Sequence, residues 1–134
     1  MAQYIDDAKA LYRHALRELG EWRISQDDHT LLRDAAEKTW GAVTEAANEV
    51  LFAYNRAVPS GTNARRDGLK SIERRHRQVR PLDMAEWFSD FLNVLHKNCF
   101  YEGDCPLPTV TEFIAEAQNF IDDAETLSSA RLSR

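Results

Sequence analysis

Residues 28–56 read DHTLLRDAAEKTWGAVTEAANEVLFAYNR. Leu32, Ala35, Ala36, Trp40, Val43, Ala46, Ala47, Val50, Leu51 and Tyr54 recur at steps of three and four, the spacing that gathers side chains on one face of an α-helix. The alanines combine high helix propensity with a low profile that lets a neighbouring helix approach closely. The stretch therefore predicts a long helix whose apolar stripe other helices must cover. Gly41 beside Trp40 costs a helix interior up to about 1 kcal/mol relative to alanine. A bulky side chain from a facing helix, seated over it, would account for its presence.

The same periodicity continues on both sides. Over residues 3–23, Tyr4, Ala8, Leu11, Tyr12, Ala15 and Leu19 predict an amphipathic first helix. Gly20 marks a close approach or fraying near its end. Ser25-Gln26-Asp27-Asp28 supplies N-cap candidates for the long helix. Pro59-Ser60-Gly61-Thr62-Asn63 reads as a loop in which Thr62 or Asn63 caps a third helix over residues 64–79. Pro81 interrupts the pattern, and Asp83 can cap a fourth helix running through Phe100. Its stripe of Met84, Trp87, Phe88, Phe91, Leu92, Leu95 and Cys99 is the strongest apolar face in the chain. After Glu102-Gly103-Asp104 and Pro106-Leu107-Pro108, the spacing Thr109-x-x-Glu112 reads as a capping box for a last helix. Phe113, Ile114, Ala117, Phe120, Ile121 and Leu127 form that helix's buried face, and residues 128–134 read as a frayed tail. The expected fold is all-α, an antiparallel up-and-down bundle of four to five helices in one domain over residues 1–134.

The chain's 134 residues fit one domain, and its 43% hydrophobic and 29% charged content is that of a folded protein rather than a disordered one. Five Gly and four Pro are too few for a turn-rich β architecture. No apolar run approaches a membrane span, and the first residues carry two Asp and no apolar leader core, so a cytoplasmic protein is expected. Cys99 and Cys105 then read as reduced thiols, with a disulfide across the short loop as the minority reading, and their spacing matches no CxxC pair of a metal site. No metal or cofactor is expected. The acidic pairs Asp6-Asp7, Asp27-Asp28 and Asp122-Asp123 look like solvated helix ends.

The net charge of −5 hides an uneven distribution. Between residues 62 and 80, Arg65, Arg66, Lys70, Arg74, Arg75, Arg77 and Arg80 face only Asp67 and Glu73, which makes the segment +5 and the remainder −10. Arginine forks onto phosphate, so Arg65, Arg66, Lys70, Arg74, Arg75 and Arg77 are candidate RNA or nucleotide ligands. Pairing with acidic neighbours, on this chain or a partner, is the alternative. No aromatics interleave the basic residues, which argues against a single-strand stacking platform.

A second candidate lies at residues 91–103. On an α-helix Asn93 and His96 share a face, and Tyr101 falls within reach of it. Asn, His and Tyr together bind an anion or move a proton at neutral pH. A hydrogen-bonded structural histidine is the competing reading.

Two segments carry a family resemblance. Ala36-Glu37-Lys38-Thr39-Trp40-Gly41-Ala42-Val43 and Leu95-His96-Lys97-Asn98-Cys99-Phe100-Tyr101-Glu102-Gly103, with helix order and length over residues 8–127, resemble the HEPN superfamily of small helical proteins, in particular its PaREP1-like branch. The resemblance implies a helical bundle that dimerises. Many relatives are metal-independent endoribonucleases of toxin or antiviral type; others bind nucleotides or act as inactive partners, with a nucleotidyltransferase or antitoxin as the companion. Active members carry an Arg, often followed by a polar residue, then four to six residues and a His. His96 matches that His and Asn93 loosely matches the polar residue, but no Arg precedes His96 at this spacing. Arg23-x5-His29 has the spacing but straddles a helix start. Phosphodiester cleavage needs a cation on the developing charge as well as a base, which Arg74, Arg75 or Arg77 would have to supply. The leading expectation is therefore a non-catalytic homodimeric module that binds a nucleotide, RNA or a partner protein. A ribonuclease using His96, Asn93 and Tyr101 is the alternative, and an interaction protein presenting exposed aromatics such as Trp22 is the third.

Overall fold

The computed structural model describes residues 3–25 and 29–132, and every regular element in them is helical. Helix α1 spans Gln3–Ser25, α2 His29–Asn55, α3 Thr62–Arg75, α4 Met84–Phe91 and α5 Leu107–Leu132. A short 3₁₀ turn, Arg80–Leu82, precedes α4, and α4 runs without a break into a π-helical segment, Leu92–Tyr101.

The long helix read from the alanine-rich stripe is the centre of the bundle. It packs against α1, α3, α4, the π segment and α5. Ala35, Ala36, Ala42, Val43, Ala46, Ala47, Val50 and Leu51 are fully buried along it. Its pairing with α1 is antiparallel: Tyr4 meets Phe52, Leu11 lies 3.4 Å from where a Cβ on Gly41 would stand, and Glu18 bonds Lys38. Gly41 thus does receive a side chain from the facing helix. The π segment also runs antiparallel to α2, since Phe88 packs on Trp40 and the Phe100 carbonyl on Arg33. Helix α5 follows the direction of α2, with Ser128 at Glu49 and Arg131 at Tyr54. The four long elements therefore alternate in direction, and α3 is inserted across the C-terminal half of α2. Tyr12 donates to the Ile114 carbonyl at 2.7 Å and ties α1 to α5. Burial pushes its phenol up from the ordinary value. Phe91 meets Phe113 and Phe120 edge-on in the opposite half of the core.

Several local expectations are corrected. Trp22 is buried, and nothing lies within 4 Å of a Cβ on Gly20, so that glycine marks no close approach. The close approach is at Gly68, where a Cβ would stand 2.6 Å from Leu51 Cδ2. Helix α3 stops at Arg75 rather than residue 79, which leaves Arg77 and Arg80 in the turn beyond it. Its N-cap is Gly61, with no side-chain bond from Thr62 or Asn63. Asp83 sits at φ 51° without capping α4; Glu73 Oε1 accepts the Ala85 amide at 2.7 Å instead, so a side chain from α3 takes the cap's task. Helix α5 begins two residues before Thr109: the Val110 amide bonds the Pro106 carbonyl, and Thr111 Oγ1 donates back to Leu107. Proline at residue 108 is compatible with a first helical turn, whose amides have no intrahelical partner. The helix then runs through the expected frayed tail as far as Leu132, burying Leu127 and Ser128. Of the proposed caps for α2, residues 26–28 lie outside the described residues, as do residues 133 and 134 of the tail.

Cys99 and Cys105 are joined in a disulfide, with their Cα atoms 4.5 Å apart, where reduced thiols were expected. The chain turns sharply between them through Gly103 at φ 73°, a conformation that favours glycine. No helix among the described residues is long and apolar enough to cross a membrane.

Candidate functional site

His96 lies midway along the π segment. Wider winding brings residues four and five apart side by side, with Glu102 N bonding Lys97 O at 3.2 Å. The His96 ring accordingly has Phe100 stacked at 6.3 Å and Tyr101 edge-on at 4.9 Å, each measured between ring centroids. From α2, Trp40 also stacks on it at 5.8 Å, and Glu37 Oε1 stands 2.7 Å from Nδ1. An ionised carboxylate only accepts, so Nδ1 is the donor and Nε2 is the nitrogen left without a bond. Both side chains are partly open, 25% for His96 and 31% for Glu37.

Asn93 does not join this group. It is exposed and makes no hydrogen bond or ring contact with His96 or Tyr101. The reason is the winding: three residues share a face on an α-helix, but four and five do on a π-helix. Glu37 takes the neighbouring place. It was in plain view in the Glu37-Lys38-Thr39-Trp40 segment, one turn before Trp40, but no rule of sequence spacing connects residues 37 and 96.

One turn before Glu37, Arg33 donates from Nε to the Phe100 carbonyl at 3.0 Å and from a terminal nitrogen to the Tyr101 carbonyl at 3.3 Å. A cation on the last free carbonyls of a helix satisfies them and complements the dipole. His29 Nε2 adds a bond to the Gly103 carbonyl at 3.3 Å. The donors of Arg33 are thus used in capping the end of the π segment. Lys38 pairs with Glu18.

The basic segment is elsewhere. Arg65 donates to Asn48 Oδ1 at 2.8 Å and Arg75 to Asn55 Oδ1 at 3.0 Å. Asn48 is about 16 Å along the α2 axis from Glu37, so one chain does not bring Arg74, Arg75 or Arg77 to His96. Arg66, Lys70 and Arg74 lie at i, i+4 and i+8 and share one face of α3. Among the described residues, the one carboxylate within ion-pair distance of these cations is Asp67, 3.8 Å from Arg66 Nε. Lys70, Arg74 and Arg77 are exposed with neither ion pair nor hydrogen bond among the described residues, and Arg80 bonds the backbone carbonyls of Glu73 and Arg74. Among the described residues, most of the charge that the sequence concentrates here therefore has no ion-pair partner.

Among the described residues no three His, Cys, Asp or Glu side chains converge as a metal site would require. No family model matches the chain, and neither any curated protein nor any solved structure does.

Proposed function

We propose that the protein is a non-catalytic, HEPN-like helical module that binds the phosphates of RNA on the exposed face of α3. The observation that carries this reading is the choice of partners on that face. Arg65 and Arg75 are held by amide oxygens, which fix a guanidinium without themselves supplying a counter-charge; Glu45, bonded to Asn48, partly opposes Arg65 alone. Arg66, Lys70 and Arg74 project from the same helix with one weak acidic contact among them. An array of fixed cations on a domain that is otherwise acidic favours an external anion. Anisotropy of a labelled single-stranded RNA, titrated at several salt concentrations with EDTA present, tests it. Binding should weaken as salt rises and be lost in the Arg66→Glu, Lys70→Glu, Arg74→Glu variant. An absence of binding at low salt would dismiss the reading.

The second reading, cleavage by His96, draws on the Glu37 pair. A carboxylate orienting Nδ1 while Nε2 remains free is the arrangement of a general base and its positioning partner. Against it, Arg33 is spent on the Phe100 and Tyr101 carbonyls and Lys38 on Glu18. Intact RNA after prolonged incubation, with wild type and His96→Ala alike, is the expected result. Cleavage that His96→Ala abolishes would promote the second reading to first.

Pairing of two copies belongs to the same proposal. Leu16, Gly20 and Ile24 follow one another at i, i+4 and i+8 on α1, where Leu16 is 43% and Ile24 88% exposed. Sedimentation should give a dimer for the wild type and a monomer for Ile24→Arg.

A further inference from the structure

A cavity of about 680 Å³ opens between the C-terminal end of α2, the turn before α4 and the last turns of α5. Its walls include Tyr54, Gln78, Leu82, Asp123, Leu127 and Arg131. The volume is that of a small-molecule site, and the mixture of apolar wall with a few polar groups is typical of one. It lies apart from both His96 and the outward face of α3, and neither reading above uses it.

The polar groups are the informative part. The Arg131 guanidinium rests over the Tyr54 ring, 4.9 Å from its centroid, and has no hydrogen bond or ion pair among the described residues. Its planar fork of donors is thus oriented by the ring face and left without an acceptor. Asp123 lines the same cavity yet forms no bridge with it. Behind Tyr54, the His76 ring packs at 4.7 Å. Burial pushes the His76 imidazole down from its ordinary value, and Arg131 and Arg75 push it further, which marks this end of the cavity as positive. At the other wall, burial and the neighbouring Asp122 and Glu116 push the Asp123 carboxyl up, so this wall is acidic and Arg131 is the cation that would have to hold an anion.

We propose that this cavity binds a small organic anion, its apolar body lodged against Leu82 and Leu127 and its carboxylate or phosphate held by the fork of Arg131 over Tyr54. The inference is independent of RNA binding on α3. The Arg66→Glu, Lys70→Glu, Arg74→Glu variant should retain it.

Titration of the full chain with octanoate, phenyl phosphate, benzyl alcohol and inorganic phosphate, followed by two-dimensional amide NMR, is the direct test. Octanoate or phenyl phosphate should shift the amides of Tyr54, Leu82, Leu127 and Arg131. Whichever binds identifies the anionic group, and its affinity should exceed that of the neutral alcohol and of free phosphate at least tenfold. Arg131→Gln should remove that advantage with the rest of the spectrum unchanged, and Arg131→Lys, which keeps the charge without the fork, should recover part of it. Equal binding of benzyl alcohol, shifts confined to α3, or affinity indifferent to both Arg131 variants would overturn the proposal.

Discussion

In the N-terminal half of α2, Arg33 and Glu37 are both engaged by the chain itself, one on the carbonyls of Phe100 and Tyr101 and the other on the imidazole of His96. In its C-terminal half, Asn48 and Asn55 meet Arg65 and Arg75. The chemistry of the partner separates the two regions. A carboxylate beside an imidazole has its acceptor taken up by a ring N–H of the same chain. An amide beside a guanidinium fixes the side chain without itself supplying a counter-charge, as at Arg75, whereas Arg65 has Glu45 close by on the far side of Asn48. The same helix thus closes one polar cluster at one end and displays another at the other. It is on the displayed cluster that the proposed RNA contact rests.

The largest effect should come from inverting the displayed cluster. Replacing Arg66, Lys70 and Arg74 by Glu is expected to lower RNA affinity about a hundred-fold at moderate salt. The wild-type plot of log K against log salt should have a slope of about −2, as three phosphate contacts on a single strand imply. His96→Ala should leave both affinity and slope in place. If His96→Ala weakens binding as much as the charge reversal does, the contrast between the two regions fails.

The closed cluster should respond through stability instead. Arg33→Ala leaves the carbonyls of Phe100 and Tyr101 without their charged donor, at an expected cost of about 2 kcal/mol in urea unfolding. Arg33→Lys should recover only part of it, because an ammonium lacks the fork that reaches both carbonyls. A smaller loss, about 1 kcal/mol, is expected from Gly68→Ala. The added methyl would meet Leu51 Cδ2 at 2.6 Å, and the cost of shifting that side chain exceeds alanine's better helix propensity. A stabilised Gly68→Ala protein would mean that α3, and the cations it carries, is less firmly seated on α2 than the packing indicates.

These two sites show what was legible in the chain and what was not. The apolar stripes of α1, α2 and α5 follow the α-helical period, so their positions and the all-α bundle were readable from spacing. The α-to-π transition inside residues 84–101 was not readable, because Phe91, Leu95 and Cys99 at steps of four suit either winding. That one ambiguity misplaced Asn93, whereas Tyr101, expected within reach of His96, does meet it. Glu37 was equally hidden, since a pair separated by 59 residues leaves no local signal. Caps failed at Thr62, Asp83 and Thr109 for a related reason. A side chain of the right type suggests a cap, but Glu73 reached the α4 amide from another helix. The basic segment was legible as charge, whereas its amide partners were visible only in the fold. Reduced cysteines were inferred from context, and the turn at Gly103 that brings Cys99 and Cys105 together cannot be read from their spacing.

The smallest effect concerns a third kind of charged group, one that is neither closed off nor displayed. Asp123 borders the cavity, and burial together with Asp122 and Glu116 pushes its carboxyl up from the ordinary value. Its folded pKa therefore lies above its unfolded one, so the folded chain holds the proton longer than the unfolded chain does. Stability from this group is then highest at low pH and declines as pH rises from the unfolded toward the folded pKa. Asp123→Asn removes the decline. The variant should melt slightly higher than the wild type at neutral pH, and the difference should vanish once the pH falls below the ordinary carboxyl value. A difference independent of pH would trace to packing. One of opposite sign would mean that the cations around Tyr54, rather than burial, set the state of Asp123, and that its carboxylate already serves as their counter-ion.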